Sequence, residues 1–286
     1  MKKVSVAHSP DADDIFMYMA IKFGWVGNAY KYENTALDIQ TLNEFALENI
    51  YDVSAISFAL YPLIANEYAL LKTAVSFGQG YGPKLIKKKN KTLKTNFKVA
   101  LSGAHTSNAL IFRIKYPQAK IVYKNFLEIE KAVLNDEVDA GVLIHESILE
   151  FDNNLCVEAE LWDIWQELAK DDLPLPLGGM ALRRSLPLND AIAIEKDLIK
   201  AVQVADDNRK ILAPMLMERN LIRVDAQKLD TYLNLYANKN SINMNERQFD
   251  AIDKLFELGY DHKFYDVLIK SRAYLIPSEY EEFRNS

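Results

Sequence analysis

Cysteine is almost missing: one residue, Cys156, in 286 excludes an internal disulfide and supplies neither a thiolate metal cluster nor a dithiol pair. The four histidines, His8, His105, His145 and His262, lack metal-ligand spacing, and no HExxH accompanies them, so no metal site is predicted. Positive charge is in deficit, with 34 Lys and Arg against 40 Asp and Glu and a net charge of -6. That balance keeps the chain in solution and argues against a general nucleic-acid surface. The one basic run, "KKKNKTLK" from Lys87 to Lys94, has no interleaved aromatics for base stacking and reads as a solvated loop. No apolar run is long enough to span a bilayer. The opening "MKKVSVAHSPDADD" has too short an apolar stretch for a secretory signal. These absences predict a cytoplasmic protein with neither a membrane nor a nucleic-acid partner, and they specify no oligomeric state. Phosphate-loop glycines are missing too: "GQGYGPK", Gly78 to Lys84, fits neither GxxxxGK[ST] nor GxGxxG and reads as a turn or hinge.

What the chain does have is a repeated strand-then-helix rhythm. "KVSVAHS" reads as a strand, followed by a helix with apolar positions at Ala12, Ile15, Phe16, Met19 and Phe23. Asp11, Asp13 and Asp14 open it, where acidic side chains suit the positive end of the helix dipole. "YKYENTAL" and "YDVSAISF" read as the next strands, and "TLNE", Thr41 to Glu44, has capping-box spacing for the helix between them. Pro62 suits the first turn of a further helix. The rhythm restarts after about residue 88: strand "KVALSG", helix Thr106 to Tyr116, strand "KIVY", helix "FLEIEKAVLN", strand "VDAGVLIH".

Two βαβαβ sets predict an α/β protein with two parallel-sheet domains. "LPLPLGGMALRRSLP" suits a chain crossing back to the first, and residues from about Asn189 to Gly259 are helical in pattern. The expected division is a large discontinuous domain of residues 1–88 and 178–286 around a small domain of 89–177. Two crossings imply a hinge.

In open α/β sheets ligands sit beyond the carboxyl ends of the strands, and Ser57 and His145 both occupy such ends. Ser9 and Asp14 lie at the mouth of the first strand. Thr106, Ser107 and Asn108 open a helix whose free N–H groups suit an anion, or serve only as an ordinary cap. His145 ends the apolar run Ala140 to Ile144, which predicts a partly desolvated, neutral imidazole able to accept a proton near neutral pH. The same pattern also fits a hydrogen-bonded core histidine.

The segments "SPDADDIFMYMAIKFGW", "DIQTLNEFAL", "GQGYGPKL", "GAHTSNALI", "AGVLIHE" and "LPLPLGGMALRR" together resemble the 1,4-dihydroxy-6-naphthoate synthases of the futalosine route to menaquinone. They occur in the family's order as far as Arg184. The resemblance implies a two-lobed, periplasmic-binding-protein-like (type II) fold with a two-strand hinge and extra C-terminal helices. It also implies cofactor-free cleavage of a carboxylated small molecule, cyclic dehypoxanthinylfutalosine, with release of a three-carbon fragment. His145 matches the family's proton acceptor, and Ala55, Ile56 and Ser57 with Thr106 and Ser107 match its substrate contacts. Ser9, Asp14 and Asn43, in the first two matching segments, join the expected contacts.

One departure stands out. The family often has Cys-Pro-Asn where Asp11, Ala12 and Asp13 stand here. Either these acids face solvent and cap the helix, or the ligand contacts of this lobe differ. The alternatives to the synthase are a chorismate dehydratase of the same family and a non-catalytic solute receptor of the same architecture.

Overall fold

Buried apolar runs between polar turns set the strands, and helical spacing of apolar residues sets the helices. In a computed structural model that describes residues 1–26, 29–218 and 225–277, the chain opens with β1 (Lys2–His8), α1 (Ala12–Lys22), β2 (Tyr30–Ala36), α2 (Ile39–Leu47) and β3 (Val53–Ser57). β1 pairs in parallel with β2 on one side and β3 on the other. α3 (Tyr61–Ile64), with Pro62 in its first turn, leads to two short strands, β4 (Tyr68–Leu70) and β5 (Ser76–Gly78).

Residues 79–83 carry the chain to a second sheet built from β6 (Lys84–Lys88), β7 (Lys98–Leu101), β8 (Lys120–Tyr123), β9 (Ala140–Leu143) and β10 (Leu155–Glu160). α4 (Ser107–Lys115) joins β7 to β8, and α5 (Phe126–Leu134) joins β8 to β9. After α6 (Leu161–Ala169), residues 170–174 return to the first sheet as β11 (Leu175–Arg183). The strand orders are β2-β1-β3-β11-β4, with β5 also on β11, and β10-β6-β9-β7-β8.

Both sheets are therefore mixed rather than parallel. β11 runs antiparallel to β3, and β6 antiparallel to β9. A strand arriving from the other lobe needs no helical crossover, so it enters antiparallel on a short link. β3 and β9 hold equivalent places, each the third parallel strand and each beside the crossing strand. The crossings also fall earlier than residues 88 and 178. β6 belongs wholly to the second sheet, and β11 begins at Leu175.

Two local expectations are corrected. α2 starts before Thr41, capped by Asp38, whose carboxylate accepts from the backbone N–H groups of Gln40 and Thr41. Lys87 and Lys88 are not loop residues but the end of β6. They pair with Glu158 and Asp136, and Lys91 pairs with Asp136 and Asp139.

The C-terminal part is helical: α7 (Leu188–Asp207), α8 (Arg209–Glu218), α9 (Ala226–Tyr236), α10 (Lys239–Ile242) and α11 (Glu246–Asp261). Residues 219–224 and 278–286, part of the expected large domain, lie outside the described residues. α7 and α9 pack on α1, and α11 packs on β11. These helices thus cover the first lobe, and α9 reaches the gap between lobes. Among the described residues no helix is long and apolar enough to cross a membrane.

Candidate active site

The carboxyl ends of β1, β3, β7 and β9 converge on one cleft of about 730 Å³ between the lobes. From the first lobe it takes Ser9, Asp11, Asp13 and Asp14 at the start of α1, and Ala55, Ile56 and Ser57 at the end of β3. From the second it takes Ser102, Thr106, Ser107 and Asn108 around the start of α4, with Ile144 and His145 after β9. Tyr232 and Tyr236 of α9 close one side. No lysine or arginine is among the described lining residues.

The lobes are in contact across this cleft. The Ser107 hydroxyl accepts from the Ala59 N–H at 3.1 Å and donates to the Leu177 carbonyl at 2.6 Å. Lys228 of α9 pairs with Glu150 of the second lobe. Gly103 explains itself here: a Cβ at that position would meet the Gln40 side chain of α2 at 2.0 Å. The glycine of "SGAH" permits a close interlobe approach rather than a left-handed turn.

His145 does not continue β9, which ends at Leu143; it opens a 3₁₀ turn with φ +55°. The left-handed region costs a non-glycine residue roughly 1–2 kcal/mol, so neighbouring contacts must hold it. Three such contacts are present. The ring's Nδ1 lies 2.9 Å from Oδ2 of Asp11. Phe126 packs edge-on to the ring, with centroids 4.9 Å apart. The adjacent Glu146 carboxylate accepts from the Ala12 N–H at 2.9 Å. The other ring nitrogen, Nε2, is buried and has no hydrogen-bond partner among the described residues.

The expectation of a neutral imidazole fails at Asp11. Burial does push the ring toward its uncharged form, but the Asp11 carboxylate, helped by Glu146 and Asp13, outweighs it and raises the pKa to about 9. Asp11 is only 1% exposed, so the solvent-facing reading of the acidic turn fails as well. It stands at the N-cap of α1 without a side-chain capping bond. Its Oδ2 instead accepts from the Ser9 hydroxyl at 2.6 Å and faces His145, while Oδ1 has no partner among the described residues.

The neighbouring acids are pushed toward their protonated forms. Burial, then the charges of Asp14 and Asp11, hold Asp13 well above the usual carboxylate range. Burial also raises Asp14, whose carboxylate accepts from the Ser9 N–H, and Glu146. The Tyr232 hydroxyl lies 3.3 Å from Asp13 Oδ1 as a donor. Among the described residues no group of three or more His, Cys, Asp or Glu side chains is placed to hold a metal ion.

Of the residues expected from sequence, His145, Ser9, Asp14, Ala55, Ile56, Ser57, Thr106 and Ser107 all line the cleft. Asn43 does not. It is fully buried behind Ser57, accepting from the Ser57 N–H at 3.0 Å and donating to its hydroxyl at 3.1 Å. It fixes the end of β3. Replacing Asn43 with Ala strands those buried groups, and we expect a stability loss of about 2 kcal/mol, read from urea unfolding. Thr106 caps α4 through its hydroxyl, as expected. His8 is held by the Ser9 carbonyl and stacks on Tyr18, away from the cleft lining.

Among the lining residues not anticipated as contacts are Asp11, Asp13, Tyr232 and Tyr236. The tyrosines had a signal, since positions four apart share a helix face. The acids had one too: they stand where the family often has Cys-Pro-Asn, and altered ligand contacts are one of the two readings of that departure.

Two mixed α/β lobes, linked by two crossings and closed over a polar cleft, define a two-lobed binding-protein-like fold. A protein of Archaeoglobus fulgidus solved by X-ray crystallography is 33% identical, with TM-score 0.85 over 92% of this chain and 98% of its own. The periplasmic aliphatic sulphonate binding protein of Escherichia coli shares the fold at 12% identity, with TM-score 0.65 over 96% and 92% of the two chains. The chain belongs to the menaquinone biosynthesis family, whose profile matches residues 4–261. Two 1,4-dihydroxy-6-naphthoate synthases are similar to it. That of Streptomyces coelicolor is 28% identical, covering 87% of this chain and 90% of the relative. That of Thermus thermophilus is 27% identical, covering 90% and 93%.

Proposed function

We propose that this chain is a carbon–carbon lyase of the cytoplasm that converts cyclic dehypoxanthinylfutalosine to 1,4-dihydroxy-6-naphthoate, releasing a three-carbon fragment, with His145 as general base. The observation that carries the reading is the unpartnered Nε2 of His145 on an interlobe cleft. In the reactive form Nδ1 keeps its proton toward Asp11, and the Nε2 lone pair takes a proton from the bound polyol to start elimination. Ser57 and the start of α4 orient the substrate. Closure of the lobes shields the reaction from water, and aromatisation of the product supplies much of the driving force.

A base whose pKa is about 9 is mostly protonated at pH 7. The limb of kcat/KM therefore rises with pH and levels only near that value. The direct test supplies the purified protein with the cyclised substrate and follows naphthoate absorbance. Tight binding without product identifies a solute receptor, and turnover of chorismate instead identifies a dehydratase; either overturns the proposal.

A further inference from the structure

We infer that Asp11 is a positioning residue for His145: it reaches across the lobe gap to fix the ring's tautomer, aim Nε2 into the cleft and set the strength of the base. The inference rests on His145 acting as that base.

The geometry is specific. Asp11 sits on the first lobe and His145 on the second, yet Oδ2 and Nδ1 are 2.9 Å apart. A carboxylate accepts only, so Nδ1 carries a proton in either charge state, and in the neutral ring the lone pair is left on Nε2. Asp11 could have capped α1 but makes no capping bond, and the Ser9 hydroxyl donates to the same Oδ2. The left-handed backbone at His145 keeps the ring at this contact rather than in line with β9. Two orphaned atoms, Asp11 Oδ1 and His145 Nε2, then remain buried at one site. Such a pair of acceptors is what two neighbouring hydroxyls of a polyol would satisfy, one giving its proton to Nε2 and the other donating a hydrogen bond to Oδ1.

Other charges around the ring are Asp13 and Asp14 from α1 and Glu146 from its own turn, with the Tyr232 and Tyr236 hydroxyls on α9. α5 presents Phe126, and the start of α4 presents uncharged Thr106, Ser107 and Asn108. Asp11 is the one in direct contact with the ring, and it has the largest charge effect on it. Because the partners come from different lobes, separation of the lobes would dissolve the pair and weaken the base. Basicity and closure are coupled.

Asp11→Asn separates the two roles, since its amide oxygen still accepts from Nδ1 but the charge is gone. With four histidines in the chain, imidazole signals are assignable by NMR, using His145→Gln to identify the missing one. In the ligand-free full chain we expect the His145 titration midpoint to fall by about one to three pH units in Asp11→Asn. In kinetics the acidic limb moves down with it, while the high-pH plateau of kcat falls roughly tenfold, so the two pH–rate curves cross. Asp11→Ala, which loses orientation as well, lowers the plateau further. A purely structural aspartate would lower stability without moving the limb. An unchanged His145 midpoint in Asp11→Asn overturns the inference. Turnover by His145→Gln would instead remove the base assignment while leaving the NMR shift standing, so the two failures are distinguishable.

Discussion

His145→Gln is expected to lose turnover by about a thousandfold while holding the product, 1,4-dihydroxy-6-naphthoate, with affinity within a few-fold of the parent. A positioned general base contributes on the order of 10²–10⁴ in rate, and no other histidine, and no lysine, is among the described lining residues of the cleft. Glutamine is the informative replacement because its amide N–H can still donate to Asp11. Both replacements remove the cation, but alanine also leaves that carboxylate, 1% exposed, without the donor it accepts from. Removing one partner of a buried pair costs on the order of 3–5 kcal/mol unless the acid takes up a proton. His145→Ala should therefore be inactive and clearly less stable, whereas His145→Gln, which keeps the hydrogen bond, should be inactive with a smaller fall in melting temperature. Calorimetric titration with the product and a fixed-time naphthoate assay separate the two quantities. Turnover by the glutamine variant within tenfold of the parent would remove His145 from the chemistry.

Much of the fold is legible in the sequence because it rests on local spacing. β1, α1, β2 and β3 follow from runs and periods inside single segments, as do β7, α4, β8, α5 and β9. β4 and β5 are three residues each, too short for alternation to register. The antiparallel entry of β6 and β11 is settled by the partner sheet, which no local window contains. The same distinction governs the site. Ser57, Thr106 and His145 stand out because they sit at strand ends or helix starts. Asp11 is marked only as a departure from the family's usual residue, with nothing in its own segment to say why, because its partner is on the other lobe. Burial of the ring alone argues for neutrality; the sign reverses only when that distant carboxylate is in place.

The apolar support behind His145 leads to the second large effect. Gly141 lies in β9, and a Cβ there would meet Ile129 Cγ2 at 2.4 Å and Val133 Cγ2 at 3.1 Å. Both belong to α5, the helix whose first residue, Phe126, packs edge-on to the His145 ring. Gly141→Val thus drives α5 off the sheet and removes the wall that holds the ring toward Asp11. Overpacking of this degree costs about 3 kcal/mol, a fall of roughly 5–10 °C in melting temperature for a chain of this size. Displacement of a catalytic group by about an ångström costs on the order of a hundredfold in rate, so kcat should fall more steeply than the stability loss alone would produce. Ile129→Ala deletes the methyl group that clashes. In the Gly141→Val background it should return part of both stability and kcat, although alone it destabilises by opening a cavity. Independent, additive losses in the double variant would show that α5 does not transmit the strain to His145, and Gly141→Val with a native melting temperature would show that the close approach of α5 to β9 is not fixed by the glycine.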